Sequence, residues 1–179
     1  MYSRLPGRAM VHNALAAAAV AITDGLELDG IAAALSAAQI PARLVAHKGR
    51  GGSLIIDDTY NASPASMRAA LDLLGEVPGR KYAVLGDMRE LGTAEMEGHR
   101  EVGRYAAGIA DVIYAVGEIG RWIGDAAIAA GHGNVHIVSD KAEIAPAILP
   151  QLDPGDVVLL KASRALALET VLDELKEDA

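Results

Sequence analysis

From about residue 53 onward the chain alternates between short apolar runs and longer amphipathic segments. That alternation restricts the fold more than any other feature of the sequence. The runs at 53–56, 82–85, 112–116, 135–138 and 157–160 are apolar but for Ser53 and His136, with no regular in-and-out alternation of polar residues. Strands of this kind are buried on both faces, as in a parallel sheet covered by helices on each side. Between and after them the pattern predicts helices over about 65–75, 94–109, 119–130, 141–149 and 165–176. The expected fold is therefore α/β: a Rossmann-like, mainly parallel sheet with helices on both faces. The links are short, as crossovers in such folds usually are.

The first forty residues follow another pattern. Helices are expected over about 11–22 and 28–38, the second with Ile31, Leu35 and Ala38 on one face, before Ile40-Pro41 breaks the run. Residues 43–47 read as a strand and Gly49-Arg50-Gly51-Gly52 as a tight turn, so with 53–56 they form a β-hairpin. Residues 1–41 are thus expected to be a terminal helical unit, and 42–179 the α/β domain.

A chain of 179 residues, 51% of them hydrophobic, can bury a sizeable core, and with no Phe and one Trp that core must be aliphatic. The absence of Cys removes disulfides and thiolate metal sites. A net charge of −8 argues against a nucleic-acid binder, which needs a basic stripe. The most apolar stretch, 14–22, is too short for a transmembrane span, and no signal-peptide pattern is recognisable. A cytoplasmic protein, with no membrane or nucleic-acid partner, is the expectation.

Each predicted strand ends in a small or polar cluster: Asp57-Asp58, Gly86-Asp87-Met88, Gly117-Glu118, Ser139-Asp140 and Lys161-Ala162-Ser163-Arg164. In a parallel sheet these clusters share one edge, where open α/β folds bind ligands. Ser139-Asp140 and Gly117-Glu118 are adequately explained as a helix cap and a turn. Asp57 and Asp58 are adjacent and must face opposite sides, so one is expected to anchor the loop and the other to face a cleft. A carboxylate there accepts hydrogen bonds from a ribose diol. Two cations at 161–164, at the expected start of the last helix, oppose its macrodipole. They call for an anion, either a substrate carboxylate or phosphate, or a salt bridge to Asp57, Asp87 or Glu90.

His99 lies on the inward stripe of its predicted helix and reads as a core residue, not a catalytic base. No histidine has metal-ligand spacing, and no metal site is expected. Neither a phosphate loop nor a Gly-x-Gly-x-x-Gly fingerprint is present, and no nucleophile–base arrangement suggests a catalytic residue.

Several segments together resemble the Mur ligase family. They are the helix motif Pro6-Gly7-Arg8-Ala9-Met10-Val11-His12-Asn13-Ala14, Arg43, the run Asp57-Asp58-Thr59-Tyr60-Asn61-Ala62-Ser63-Pro64-Ala65-Ser66-Met67, the loop Gly86-Asp87-Met88-Arg89-Glu90-Leu91-Gly92, and Lys161-Ala162-Ser163-Arg164. The Tyr60-Asn61-Ala62 and Gly86-Asp87-Met88 pairing is similar to the branch that adds D-alanyl-D-alanine to UDP-N-acetylmuramoyl-tripeptide in peptidoglycan precursor synthesis. The resemblance implies ATP and Mg2+ in the whole enzyme, and an acyl phosphate attacked by the dipeptide amine. It implies nucleotide contacts at Asn13, Arg43 and Asp58. It also places Asn61, Asp87, Lys161, Ser163 and Arg164 toward the D-alanyl-D-alanine side.

The sequence departs from the family at Ala9 and Met10, where His and Asn are usual, and at Ala162, where Gly is usual. It resembles only the last two-fifths of such a ligase. A chain inactive by itself is therefore expected, with helices before residue 41 that fold back, pair with a second copy or stay mobile. The competing readings are a free-standing Rossmann-like nucleotide-binding or regulatory module, and a related Mur-type ligase with another substrate.

Overall fold

A computed structural model describes residues 8–38 and 43–177, with side chains from Met10 onward. The start of the helix motif, the Pro41 break and the 41/42 boundary lie outside the described residues. Helix α1 (Arg8–Thr23) is Ala-rich and closes when Gly25 N–H reaches Ile22 O and Leu26 N–H reaches Ala21 O, both at 3.0 Å. Helix α2 (Leu28–Ala37) buries only Ile31. Much of the apolar surface of this pair faces outward: Leu15 is 62%, Leu28 67% and Val20 71% exposed.

The remaining elements form one six-stranded sheet in the order β1-β2-β6-β3-β4-β5. Strand β1 (Val45–Lys48) pairs antiparallel with β2 (Leu54–Asp57). Strands β6 (Val157–Lys161), β3 (Lys81–Gly86), β4 (Val112–Val116) and β5 (Val135–Val138) continue the sheet in parallel. The helices divide between its faces. Helices α3 (Pro64–Glu76), α4 (Glu95–Ala106) and α5 (Arg121–Ala129) bury Leu71, Val102 and Ile123 against Ile56, Ala83 and Leu159. Helices α6 (Ile144–Ile148) and α7 (Glu169–Leu175) bury Ile148 and Leu172 against Ile55, Val84 and Leu160. Successive strand residues serve opposite cores, so the inner strands are apolar except at their ends, with Asp57 and Lys161 buried at the carboxyl ends of β2 and β6.

Three expectations need correction. The last helix was placed over 165–176, but a 3-10 turn (Arg164–Leu166) comes first, Ala167 is left-handed at φ 52°, and the helix begins at Glu169. The Lys141 ammonium holds the carbonyls of Leu166 (2.9 Å) and Ala167 (2.8 Å), a long-range tie that overrides the local helical pattern. The strand expected at 43–47 starts at Val45, because Leu44 has φ 53° and turns to bury its side chain. The helix expected over 141–149 is α-helical only at Ile144–Ile148, with 3-10 turns on either side.

Gly103 of α4 faces α5 so closely that a Cβ there would lie 2.1 Å from Ile123 O and 3.0 Å from Ala126 Cβ. Gly103→Ala is expected to force the helices apart and cost about 1–3 kcal/mol. Gly30→Ala, in open space within α2, should leave stability unchanged or raise it by up to about 1 kcal/mol. Urea denaturation of the two variants checks this contrast.

Candidate functional site

Strand β2 ends in two carboxylates that turn opposite ways. Asp57 Oδ1 accepts the Thr59 N–H at 3.0 Å and the Thr59 hydroxyl at 2.7 Å, which bends the chain just past the strand. Helix α3 then starts on a reciprocal cap: Ser63 Oγ accepts the Ser66 N–H (3.4 Å) and Ser66 Oγ accepts the Ser63 N–H (2.9 Å), with Pro64 in the first turn. The expected division of labour holds, with Asp57 anchoring the loop and Asp58 facing a cavity.

That cavity, of about 360 Å³, is lined by Asn13, Arg43, Asp58, Asn61 and Lys161, with Met10 and Leu44 as apolar surface. Four separate segments supply these residues, and α1 closes one side. The Lys161 ammonium lies 2.6 Å from Asp58 Oδ2 and donates to Asn61 O at 2.8 Å. Arg43 stacks its guanidinium over Tyr60, 4.7 Å from the ring centre. Burial pushes the Asp58 carboxyl above its ordinary value, and Lys161 pulls it partly back. Burial likewise pushes Lys161 down, with Asp58 opposing. An acceptor carboxylate, an amide and a guanidinium around an apolar patch suit a nucleoside: hydroxyls to the acid, base to the amide and apolar surface.

Asp87 and Ser163 do something else. Asp87 is buried, and its Oδ1 accepts the N–H groups of Ile119 (3.1 Å) and Gly120 (2.7 Å) where α5 begins. Its Oδ2 pairs with Arg89 at 2.5 Å, and its carbonyl accepts the Ser163 N–H at 2.8 Å. Ser163 Oγ in turn accepts the Arg89 N–H at 2.8 Å. These bonds tie together the loops after β3, β4 and β6. Gly117 permits the arrangement, since a Cβ there would meet Asp87 Oδ1 at 2.3 Å.

Arg164 points outward and reaches Glu169 at 3.5 Å. The cations at 161–164 are therefore offset by Asp58 and Glu169, and not by the Asp57, Asp87 or Glu90 partners considered from the sequence. The expected helix N-terminus beneath them is also absent, for the reason given above. His99 is fully buried: its Nε2 accepts the Met88 N–H at 2.9 Å and its Nδ1 donates to Glu95 O at 2.6 Å. This arrangement requires the neutral ring and fits the core reading.

Sequence reasoning did not assign Met10, Leu44 or Tyr60 to the site. Only Met10 left a signal, since it lies one helical turn before Asn13 on the same face; Asn13 Nδ2 donates to its Sδ at 3.8 Å. Among the described residues no group of three or more His, Asp or Glu could hold a metal ion, and no helix is long and apolar enough to cross a membrane.

The buried pair has a checkable consequence. A raised carboxyl pKa means Asp58 alone contributes stability below pH 3.8 that is lost as pH rises through its folded value. A lowered lysine contributes stability above 10.5 that is lost as pH falls through its folded value. The two groups lie 2.6 Å apart, and each offsets part of the other's burial. Lys161→Met is expected to cost about 3–5 kcal/mol near neutrality, because it leaves a buried carboxylate unpaired. The deficit relative to the unsubstituted chain should shrink in acid, where Asp58 takes up a proton; adding Asp58→Asn should restore most of it. Chemical denaturation across pH measures both.

A family model for the Mur ligase, glutamate ligase domain, matches residues 42–164. The chain is 37% identical to the UDP-N-acetylmuramoyl-tripeptide–D-alanyl-D-alanine ligase of Escherichia coli, over 97% of its own length and 38% of the relative's. It is 38% identical to the ligase of the same name from Mycobacterium tuberculosis, over 96% of this chain and 38% of that one. Its fold superposes on the crystal structure of the MurF ligase from Thermotoga maritima in complex with ADP, with a TM-score of 0.81 and 33% identity, over 95% of this chain and 38% of that one. The chain thus spans less than two-fifths of the length of the relatives it matches. By its sequence and by the superposition of its fold, this chain belongs to the Mur ligase family.

Proposed function

We propose that this chain supplies one wall of the nucleotide site of an ATP-dependent amide-bond ligase that adds D-alanyl-D-alanine to UDP-N-acetylmuramoyl-tripeptide, in cytoplasmic peptidoglycan precursor synthesis. The observation that carries the reading is the convergence of Asn13, Arg43, Asp58, Asn61 and Lys161 on one cavity. In this reading Asp58 accepts hydrogen bonds from the ribose hydroxyls, Asn13 meets the adenine edge, and Arg43 screens the nucleotide's negative charge. Residues 1–41 are read as the end of the ATPase unit and 42–179 as the terminal domain. The exposed apolar residues of α1 and α2, among them Val11, Leu15 and Val20, then meet the rest of the ligase or a second copy.

ATP phosphorylates the peptide carboxylate in this reaction, and the dipeptide amine attacks the resulting acyl phosphate. The loops bearing Asp87 and Ser163 to Arg164 are the proposed dipeptide side, while Asn61 and Lys161, which the resemblance also placed there, are read as part of the nucleotide wall. Within them Asp87 and Ser163 hold the loops in place, while the exposed guanidinium groups of Arg89 and Arg164 suit the dipeptide carboxylate. Mg2+ is proposed to accompany the triphosphate. The described residues do not fit a metal site, since Asp58 is already paired with Lys161 and no further carboxylate or histidine joins it in a metal-binding group.

Phosphoryl transfer depends on positioning and charge neutralisation, and this sequence carries no phosphate loop. The 179-residue chain is therefore expected to release no phosphate from ATP above background in a coupled assay. Turnover by the chain, with contaminating ligase excluded, would contradict the reading.

Nucleotide binding should be weak and local. Adenosine 5′-monophosphate is expected to bind at about millimolar concentration, or about −4 kcal/mol. It should shift the amide resonances of residues 10–13, 43–44 and 58–63. A response confined to residues 87–92, or micromolar affinity, would place the site elsewhere.

A further inference from the structure

We propose that Lys161 is the positioning residue of this cavity: it pins Asp58 and the Asn61 carbonyl in one geometry, so that the carboxylate meets a ribose diol, and it does not contact the dipeptide. The inference rests on the nucleotide reading above and deepens it.

The geometry singles Lys161 out. Its Cα sits at the end of β6, beside Leu85 of β3, yet its ammonium crosses to the loop after β2. There it reaches Asp58 Oδ2 at 2.6 Å and Asn61 O at 2.8 Å. These two groups are three residues apart, so a single ammonium fixes both ends of the tetrapeptide that forms the cavity wall. Arg43 holds the same segment from outside through the ring of Tyr60. The loop is clamped from both sides, between a buried cation and an exposed one.

Binding a substrate anion is a poor alternative. The Lys161 side chain is only 2% exposed, and two of its three N–H donors are already engaged by protein oxygens. A carboxylate or phosphate could reach it only by displacing Asp58. A buried ion pair is also a weak source of stability, since well-packed apolar residues of similar volume often do as well. What the pair supplies is a fixed carboxylate beside a cavity. Asp58 Oδ2 cannot turn away from Lys161 without stranding a buried charge, so the orientation of the whole carboxyl group is set before any ligand arrives.

The test compares adenosine 5′-monophosphate with its 2′,3′-dideoxy analogue on the full chain by amide-resonance titration. The unsubstituted chain is expected to prefer the ribose form roughly tenfold or more, as for hydrogen bonds to a charged acceptor. In Lys161→Met, with the fold verified from the amide spectrum, the preference for the ribose form over the dideoxy form should fall to near one. A merely structural lysine would weaken both ligands equally and keep their ratio, which would overturn the proposal. If the unsubstituted chain itself makes no distinction, the ribose role of Asp58 fails, and the nucleotide reading with it.

The unsubstituted chain provides a second measurement that does not depend on the variant folding. The ribose form should shift the Lys161 ammonium and Asp58 carboxyl resonances together, and the dideoxy form should move neither. An ammonium that stays still while the carboxyl moves, or that responds to D-alanyl-D-alanine, would overturn the assignment.

Discussion

The placement of β6 governs this structure. Although it is the last strand in sequence, it lies between β2 and β3 and pairs in parallel with both. One strand end therefore reaches two loops that are far from it along the chain. Lys161 crosses to Asp58 on one side, and Ser163 binds the Asp87 carbonyl on the other. Had β6 joined the sheet at an edge, it could not have reached both. The cavity and the loop hub are two consequences of one strand insertion, at the kind of position where open α/β sheets bind ligands.

Three buried carboxylates near this edge have different tasks, set by what surrounds them. Asp57 folds back on Thr59 and bends its own loop. Asp87 faces the backbone N–H groups that open α5, where the helix dipole favours a negative charge. Asp58 has a lysine for a partner and a cavity in front of it. The first two satisfy groups that would otherwise be left unpaired in the interior, so their role is architectural. Only the third presents its carboxylate to space a ligand could occupy.

Helices α1 and α2 stand apart from this economy of contacts. Met10 packs against the core and also lines the cavity, so α1 is attached where it contributes to the site. Farther along, Leu15, Val20 and Ile22 face outward. A groove between the two helices, lined by Ala14, Leu15, Leu28 and Ile31, is apolar and open. An amphipathic helix gains most of its stability by burying its apolar face, and here that gain is largely unrealised within the described residues.

The sequence by itself determined the mainly parallel, doubly covered sheet, because strands buried on both faces are apolar at successive positions; the edge strand β5, which exposes His136 and Ile137, departs from that expectation. It also separated Asp57 from Asp58, since neighbouring strand residues face opposite sides. His99 was legible as a core residue from its place on an inward helical stripe. Boundaries were legible where a local cap encodes them, as at Ser63-Pro64, and failed where a distant side chain does, as where Lys141 holds Ala167 in a left-handed turn. Which strands are neighbours was decided only in the tertiary structure, because strand order depends on packing between distant segments and leaves no trace in periodicity. So did the assignment of Lys161 to Asp58, and of Asp87 to the start of α5. Each is a contact between loops that the sheet, and nothing in their local sequence, brings together.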